Sequence, residues 1–215
     1  MSVTTDARQL FSDRHGSDVR FIRGVGYPQG LRAYFTHSPL LRPDLRVLDA
    51  GCGTGVVTLA LREALVRRGG MPGPIHALAM MDRFRGTLAT GPTGIDIVPC
   101  NVLDVSGLPA GWSDYDLVVS ASMMEDLPRG TFNAALQGLR ARLAADGVLV
   151  LFMTRHNWLT RPLIGWWWHS HLYTASELRT GFREAGFSTV ALRRFPRAFR
   201  YPDLWGYVVE ASARL

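Results

Sequence analysis

A glycine-rich segment, Val47 to Gly55, constrains the fold of this chain more than any other feature. Branched apolar residues stand directly before the glycines, which is typical of a buried strand, and a helix-favouring run begins at Val56. Gly51, Gly53 and Gly55 allow a tight turn and a close approach of the backbone to a ligand, because glycine has no Cβ. The segment therefore predicts a strand, a turn and a helix whose free N–H groups face a ligand.

The residues before and between the glycines make this segment more specific. Asp49 places a carboxylate at the strand end, where it can hold an amine or a hydroxyl of a ligand. A G-x-G-x-G pattern alone leaves open a different nucleotide, or a turn without a ligand. The whole stretch, Val-Leu-Asp-Ala-Gly-Cys-Gly-Thr-Gly, closely resembles the first motif of class I S-adenosylmethionine-dependent methyltransferases. The resemblance implies S-adenosylmethionine as cofactor, with Cys52 and the glycines in its binding turn.

Apolar runs and turn residues divide the chain into alternating strands and helices. The first strand ends in the turn at residues 51–55, which we call the glycine turn. After it, buried strands are predicted at Ile75–Met81, Ile95–Cys100, Tyr115–Ser120 and Val148–Thr154. Helices are predicted at Leu31–Phe35, Val56–Arg68, Thr131–Leu143 and from the Thr174–Glu177 capping box to Ala185. The chain closes with predicted strands near Ser188–Arg194 and Trp205–Ser212.

This alternation predicts an α/β fold with a mostly parallel sheet, whose ligands bind at the carboxyl ends of the strands. The methyltransferase resemblance covers roughly residues 45 to 212. It implies a doubly wound, seven-stranded sheet with helices on both faces and a C-terminal antiparallel hairpin. It also divides the chain into a segment, 1–44, that caps the cofactor on the substrate side, and a cofactor-binding domain, 45–215.

Acidic residues after two more strands complete the expected cofactor site. Asp82 follows the second strand, where a carboxylate can accept hydrogen bonds from both ribose hydroxyls, although it could also be a helix N-cap; Arg83 beside it belongs to the expected set. By resemblance, Asp104 binds the adenine amino group and Val105 lies against the adenine, with a surface turn as the alternative for Asp104. Ser120 begins the loop where methyl donor and acceptor meet in similar enzymes.

Methyl transfer to a hydroxyl or a protonated amine also requires a base. We rank His156 first, because it directly follows the fifth strand and titrates near neutrality, then His171, then Glu125. For each of them, an ordinary surface or packing role is the alternative. No metal site is expected, since His169 and His171 lack a third ligand.

Aromatic residues are dense between Trp158 and Tyr173, in a segment of about 155–173 that covers the acceptor in similar enzymes. Aromatic walls suit a small apolar or aromatic metabolite, while a contact in a homodimer or plain core packing are the alternatives. Further candidates for pocket residues come from the N-terminal segment: Arg20, Arg23, Tyr27, Arg32 and His37.

The composition indicates a cytoplasmic, bacterial protein of one domain with 215 residues. We predict no signal peptide, no membrane span and no disulfide framework. All 24 basic residues are arginine, which indicates an arginine-favouring genome, and the net charge is +6. The tract Arg193–Tyr201 combines arginines with aromatic rings and could contact nucleic acid or a membrane surface, although we expect an exposed hairpin loop remote from the cofactor edge.

Two functions compete with methylation of a small molecule. An RNA methyltransferase would fit the basic charge, but the Asn/Asp-Pro-Pro-aromatic motif of many nucleic-acid enzymes is replaced here by Ser120-Ala121-Ser122-Met123. A protein of this fold could also bind S-adenosylmethionine without methylating anything, because a fold does not fix a function.

Overall fold

The computed structural model describes residues 26–70, 73, 75–79, 94–158, 160 and 170–212. They contain one seven-stranded sheet with the order β3-β2-β1-β4-β5-β7-β6. The strands are β1 Val47–Ala50, β2 Ile75–Ala79, β3 Ile95–Pro99, β4 Tyr115–Ala121, β5 Leu143–Thr154, β6 Thr189–Arg193 and β7 Gly206–Ser212. The helices are α1 Tyr27–His37, α2 Val56–Arg67, α3 Phe132–Arg140 and α4 Ala175–Glu184.

Five neighbouring strands are parallel, and only β7 runs against its neighbours β5 and β6. The carboxyl ends of β1 to β5 therefore lie at one edge of the sheet, which we call the carboxyl edge. The predicted fold class, a mostly parallel seven-stranded sheet with a C-terminal antiparallel hairpin, is confirmed. Strand order reverses beside β1, so the glycine turn lies at the topological switch point of the sheet.

Helices cover both faces of this sheet. Successive residues of a strand face opposite ways, so a strand that is apolar throughout presents an apolar surface on each face. Val47 packs with α1 and α2 in one apolar cluster, whereas the next residue, Leu48, packs with α3 and α4 in another. Both side chains are fully buried. The near-continuous apolar sequence of the central strands thus serves two cores at once.

Helix α1 extends four residues further toward the N-terminus than predicted and packs on the same core as the sheet. The Tyr34 hydroxyl donates to Glu210 Oε1 of β7 at 2.6 Å, and Arg193 Nε of β6 pairs with Glu210 Oε2 at 2.7 Å. The Tyr34 ring also meets the ring of Phe152 edge to face, with centroids 5.2 Å apart. These contacts fix α1 across β5, β7 and β6.

Strand β5 begins at Leu143, five residues before the predicted start, and α3 correspondingly ends earlier, at Arg140. The sequence Ala145-Asp146-Gly147 had indicated a turn, but it continues the strand through an irregularity opposite Tyr115 and Leu117. Gly147 permits this, because a Cβ there would lie 2.5 Å from the Tyr115 carbonyl oxygen.

The loop between β6 and β7, residues 194–205, lies at the carboxyl edge, and the prediction that it is remote from the cofactor edge is wrong. Gly206 pairs with Thr154 at the end of β5, and Arg155 N–H donates to the Trp205 carbonyl at 2.7 Å. The loop also contacts the start of α1, where the Tyr201 hydroxyl donates to the Gly26 carbonyl at 2.6 Å. The reason is topological: β7 is antiparallel, so it starts at the edge where β5 ends.

Candidate functional site

The glycine turn is held in a conformation that other residues rarely adopt. Gly51, Gly53 and Gly55 have φ angles of 90°, 49° and 80°, in the left-handed region. The N–H groups of Gly51 and Cys52 donate to the carbonyl of Leu78 at 3.1 and 2.9 Å, which ties the turn to the end of β2. A Cβ on Gly53 would meet no atom closer than 3.9 Å, so space for a ligand lies beside it.

Asp49 is fully buried at the end of β1 and supports the N-terminus of α2. Its Oδ2 accepts a hydrogen bond from the Thr58 hydroxyl at 2.5 Å, and the Thr58 backbone also bonds to this carboxylate. Burial raises the pKa of Asp49 to about 7, against these hydrogen bonds, which lower it. Its Oδ1 is buried and has no partner among the described residues. A ligand ammonium or hydroxyl would satisfy that oxygen.

The segment after β3 carries two of the predicted cofactor residues. Asp104 is exposed, and its N–H donates to the Asn101 carbonyl at 2.8 Å. Val105 is partly buried, and its Cγ2 lies 3.5 Å from where a Cβ on Gly138 of α3 would be. Both residues follow the carboxyl end of β3, as expected, and their adenine contacts stay predictions. Asp82 and Arg83 lie outside the described residues.

Ser120, near the end of β4, is buried, and its hydroxyl has no hydrogen-bond partner among the described residues. Beyond it, Met123 lies over the glycine turn, since a Cβ on Gly51 would be 2.7 Å from Met123 Cγ. Ser122 between them has a positive φ of 52°. Such strain in a non-glycine residue often marks a functional loop.

Of the three predicted bases, only Glu125 is buried, with 4% of its surface exposed. Its Oε2 accepts the Thr154 N–H at 2.6 Å, and its Oε1 accepts the Thr154 hydroxyl at 2.7 Å. Burial raises the pKa of Glu125 to about 7, with the charge of Asp126 adding to the rise. The carboxyl group can therefore gain or lose a proton near neutral pH.

Tyr27, the first residue of α1, lies near the loop that follows β4 and carries Glu125. Its hydroxyl is within hydrogen-bonding reach of Ser122, and burial raises the pKa of Tyr27, with a further contribution from the charge of Glu125. The predicted pocket residue thus lies at the carboxyl edge. Arg32 instead pairs with Glu63 of α2 at 3.1 Å, and His37, at the other end of α1, bonds to the Ala33 carbonyl at 2.8 Å. Arg20 and Arg23 lie outside the described residues.

The two histidines differ in burial and in backbone contacts. The backbone N–H of His171 donates to the backbone carbonyl of Glu125 at 2.7 Å, so the chain at His171 is fixed beside Glu125. His156 is exposed, and its backbone N–H donates to the Tyr173 carbonyl at 3.3 Å. Burial and the two hydrogen bonds from Thr154 favour Glu125 over the two histidines, and the catalytic roles of all three stay predictions.

The predicted aromatic lid divides into residues with different environments. Tyr173 is buried and stacks on Phe132, with centroids 4.6 Å apart, and the Arg129 guanidinium lies 5.1 Å from its ring centroid. Tyr173 is thus part of the core rather than a lid wall. Trp158 is 86% exposed. The run Trp166–Trp168 and His169 lie outside the described residues.

Sequence reasoning missed Thr58 and Thr154, which hold the two buried carboxylates. Thr58 could have been found, because a threonine at the third position of the predicted helix is placed to bond back to the preceding strand end. Nothing local in the sequence links Thr154 to Glu125, since the pair forms across β4 and β5. Asp116, near the start of β4, lies at the opposite edge of the sheet, where it accepts from Arg42 Nη2 at 2.5 Å and from Arg46 N–H at 2.9 Å.

Comparison with known proteins identifies the family to which this chain belongs. A family model described as a methyltransferase domain matches residues 29–192, more than half of the chain. The chain belongs to this methyltransferase domain family. The predicted enzyme class, an S-adenosylmethionine-dependent methyltransferase, and its cofactor are confirmed for the domain.

Solved methyltransferase structures share the fold. Magnesium protoporphyrin IX methyltransferase from Synechocystis, with bound S-adenosylhomocysteine, is 17% identical with a TM-score of 0.68, over 97% of this chain and 98% of that one. The CMeT domain of the citrinin polyketide synthase is also 17% identical, with a TM-score of 0.62, over 80% of this chain and 47% of that one. These likenesses confirm the class I fold.

Two curated relatives match part of the sequence. A protein-L-isoaspartate O-methyltransferase from Bradyrhizobium is 27% identical over 134 residues, 60% of this chain and 54% of the relative. A highly reducing polyketide synthase from Gibberella fujikuroi is 30% identical over 139 residues, 58% of this chain and 5% of the synthase. The chain thus matches only a part of each relative's length. Among the described residues of this methyltransferase-family chain, no helix is long and apolar enough to cross a membrane.

Proposed function

We propose that this protein transfers a methyl group from S-adenosylmethionine to a small apolar or aromatic metabolite in a bacterial cytoplasm. The observation that carries the proposal is the position of two buried carboxylates at one edge of the sheet: Asp49 beside the glycine turn and Glu125 on Thr154 at the end of β5. The first suits a cofactor and the second suits proton removal from an acceptor.

The residues of the glycine turn fit the cofactor. The unpartnered Asp49 Oδ1 can receive the ammonium group of its methionine part, and the open space at Gly53 leaves room for its backbone contacts. Burial raises the pKa of the Cys52 thiol to about 12, so Cys52 serves as a neutral wall of the turn. When bound, S-adenosylmethionine supplies the electrophilic methyl group of a sulfonium.

The residues around Glu125 would orient the acceptor and take its proton. Thr154 fixes both carboxyl oxygens of Glu125 with an N–H and a hydroxyl. The Tyr27 hydroxyl, which lies by Ser122 in the same loop as Glu125, can hydrogen-bond an acceptor hydroxyl or amine. A carboxyl group whose pKa is about 7 can accept a proton from such an acceptor at neutral pH.

The small-molecule acceptor is supported by the surroundings of this edge. Met123 over the turn and Tyr27 on α1 present apolar surface, and Ser122 is the small residue between them. The neighbouring structure named magnesium protoporphyrin IX methyltransferase is, by its name, an enzyme for an aromatic metabolite. A second candidate, an RNA acceptor, is favoured by the exposed arginines of the 194–205 loop, which lies at the same edge.

The test is transfer of a labelled methyl group to a panel of small aromatic and apolar hydroxyl and amine compounds, with short RNAs in parallel. We expect turnover on a small molecule that Glu125→Gln lowers by at least about a hundredfold, the usual contribution of a general base. Glu184→Gln, the same substitution at an exposed acid of α4, is the matched control. Turnover on RNA alone would contradict the small-molecule assignment, and cofactor binding without any turnover would favour the non-methylating alternative.

A further inference from the structure

The carboxyl edge carries an exposed surface of unusual composition. The two most exposed large apolar residues of the described chain are Trp158, 86% exposed, and Leu204, 60% exposed. They are neighbours, because the side-chain amide of Asn157 donates to the Leu204 carbonyl at 2.6 Å. An exposed tryptophan and an exposed leucine on two adjoining segments suit a contact surface.

Several hydrogen bonds hold the backbone next to Trp158. The Asn157 side chain accepts the Thr160 N–H at 2.9 Å, and the Thr160 hydroxyl accepts the Asn157 N–H at 3.1 Å. The same hydroxyl donates to the Arg155 carbonyl at the end of β5. These bonds fix Asn157, so little ordering of the backbone next to Trp158 would be needed when a partner buries the indole.

The loop that contains Leu204 also carries positive charge. The loop 194–205 contains Arg194, Arg197 and Arg200, all exposed, and none of the ion pairs among the described residues involves them. The one acid of the loop, Asp203, accepts the Phe195 N–H at 3.1 Å. Buried Phe195 and Pro202 anchor the loop, Phe195 in the core shared with α1 and Pro202 against Gly30 of α1, so its arginines have a fixed base.

We propose that Trp158, Leu204, Arg194, Arg197 and Arg200 form a docking surface for a bilayer that contains anionic phospholipid. Tryptophan and leucine would enter the boundary between headgroups and acyl chains, while the arginines pair with phosphates above it. The structure favours lipid over RNA as the partner because Leu204 gains from hydrocarbon but cannot stack on a base. The surface lies at the edge that carries Glu125 and Tyr27, so an apolar acceptor could reach the site from the membrane.

The test is co-sedimentation of the full chain with vesicles of phosphatidylcholine alone and with phosphatidylglycerol added. We expect binding only to the anionic vesicles, weakened by high salt. Each arginine near an anionic surface contributes about fivefold, so Arg197→Gln with Arg200→Gln should weaken partition about 25-fold. The matched control is Arg179→Gln with Arg183→Gln, the same charge change on exposed positions of α4, which should weaken it by less than about threefold.

The apolar contribution is tested separately. Trp158→Ala and Leu204→Ser should each weaken partition by about tenfold or more, whereas Val66→Ser, at a 48% exposed position of α2, should leave it unchanged. These residues are exposed, so the variants should keep the thermal midpoint of the wild type. Calorimetric binding of S-adenosylhomocysteine should be unchanged in the Arg197/Arg200 pair, which separates a failed docking surface from a failed cofactor site.

Three results would overturn the proposal. The first is that the wild type does not bind anionic vesicles. The second is that Arg179→Gln with Arg183→Gln weakens vesicle binding as much as Arg197→Gln with Arg200→Gln does. The third is that both Trp158→Ala and Leu204→Ser bind vesicles as tightly as the wild type. RNA binding would assign the surface to nucleic acid instead if vesicle binding is absent. In that case a short RNA would bind at low salt, its binding would be lost in the variant with both Arg197→Gln and Arg200→Gln, and Leu204→Ser would leave it unchanged.

Discussion

Replacing Asp49 by asparagine should change stability in opposite directions at low and at high pH. Asp49 is fully buried, and its pKa is raised from 3.8 to about 7 by burial. A proton therefore binds more tightly to the folded than to the unfolded protein. The contribution of Asp49 to stability falls as pH rises from about 4 to about 7 and stays low above that range.

The magnitude follows from the two pKa values. Their difference corresponds to a penalty of about 4 kcal/mol on the ionised, cofactor-free protein above about pH 7. Asparagine keeps an oxygen for Thr58 but leaves a buried N–H group unpartnered where Oδ1 now lies, at a cost of about 1–3 kcal/mol. Asp49→Asn should thus be less stable than wild type by about 1–3 kcal/mol near pH 4, and more stable by a similar amount near pH 8.

The assay is urea unfolding of both proteins without cofactor at about pH 4 and about pH 8. Glu125, whose pKa is raised in the same direction, contributes equally to both proteins and cancels in the difference. An equal loss of stability in Asp49→Asn at both pH values would refute the reasoning, because it would mean that the buried carboxylate carries no penalty. Binding of S-adenosylmethionine should weaken about 10- to 100-fold, since a charge-assisted hydrogen bond is lost.

Three further substitutions test the other contacts. Because the pKa of Glu125 is about 7, activity should rise with pH through about 7, and Glu125→Gln should abolish this rise in a pH–rate profile. Tyr34→Phe removes the hydrogen bond to Glu210 and should cost about 1–2 kcal/mol by urea unfolding; no loss would mean that α1 is held by apolar packing alone. Gly147→Ala should cost more than about 2 kcal/mol, because its Cβ would collide with the β4 backbone, and an unchanged thermal midpoint would contradict the described course of β5.

The sequence predicted the sheet well because its information there is local. Branched apolar runs, the glycine turn and the Thr174–Glu177 capping box each specify their own element, and the structure places a capping box at Thr174. The start of β5 was missed because Gly147 reads as a turn residue, and only the neighbouring Tyr115 carbonyl shows why glycine stands in a strand.

The candidate site was predicted less completely, for the same physical reason. Asp49 lies in a motif and could be proposed from it, whereas the case for Glu125 depends on burial and on Thr154, far away in sequence. His156 ranked above it from its position after β5, but a position in sequence does not report exposure. The edge on which the 194–205 loop lies follows from the antiparallel direction of β7, which no residue of the loop reveals.

The central claim is that the glycine turn binds S-adenosylmethionine, and calorimetric titration of two glycine variants tests it most directly. Gly53→Ala and Gly69→Ala both place a Cβ at positive φ with no atom closer than 3.9 Å, so both should cost about 1 kcal/mol of stability. Gly53 lies in the turn, whereas Gly69 follows α2 at the opposite edge. We predict that wild type and Gly69→Ala bind S-adenosylmethionine alike and that Gly53→Ala binds at least about tenfold more weakly. Equal binding by all three proteins, or none by wild type, would contradict the account.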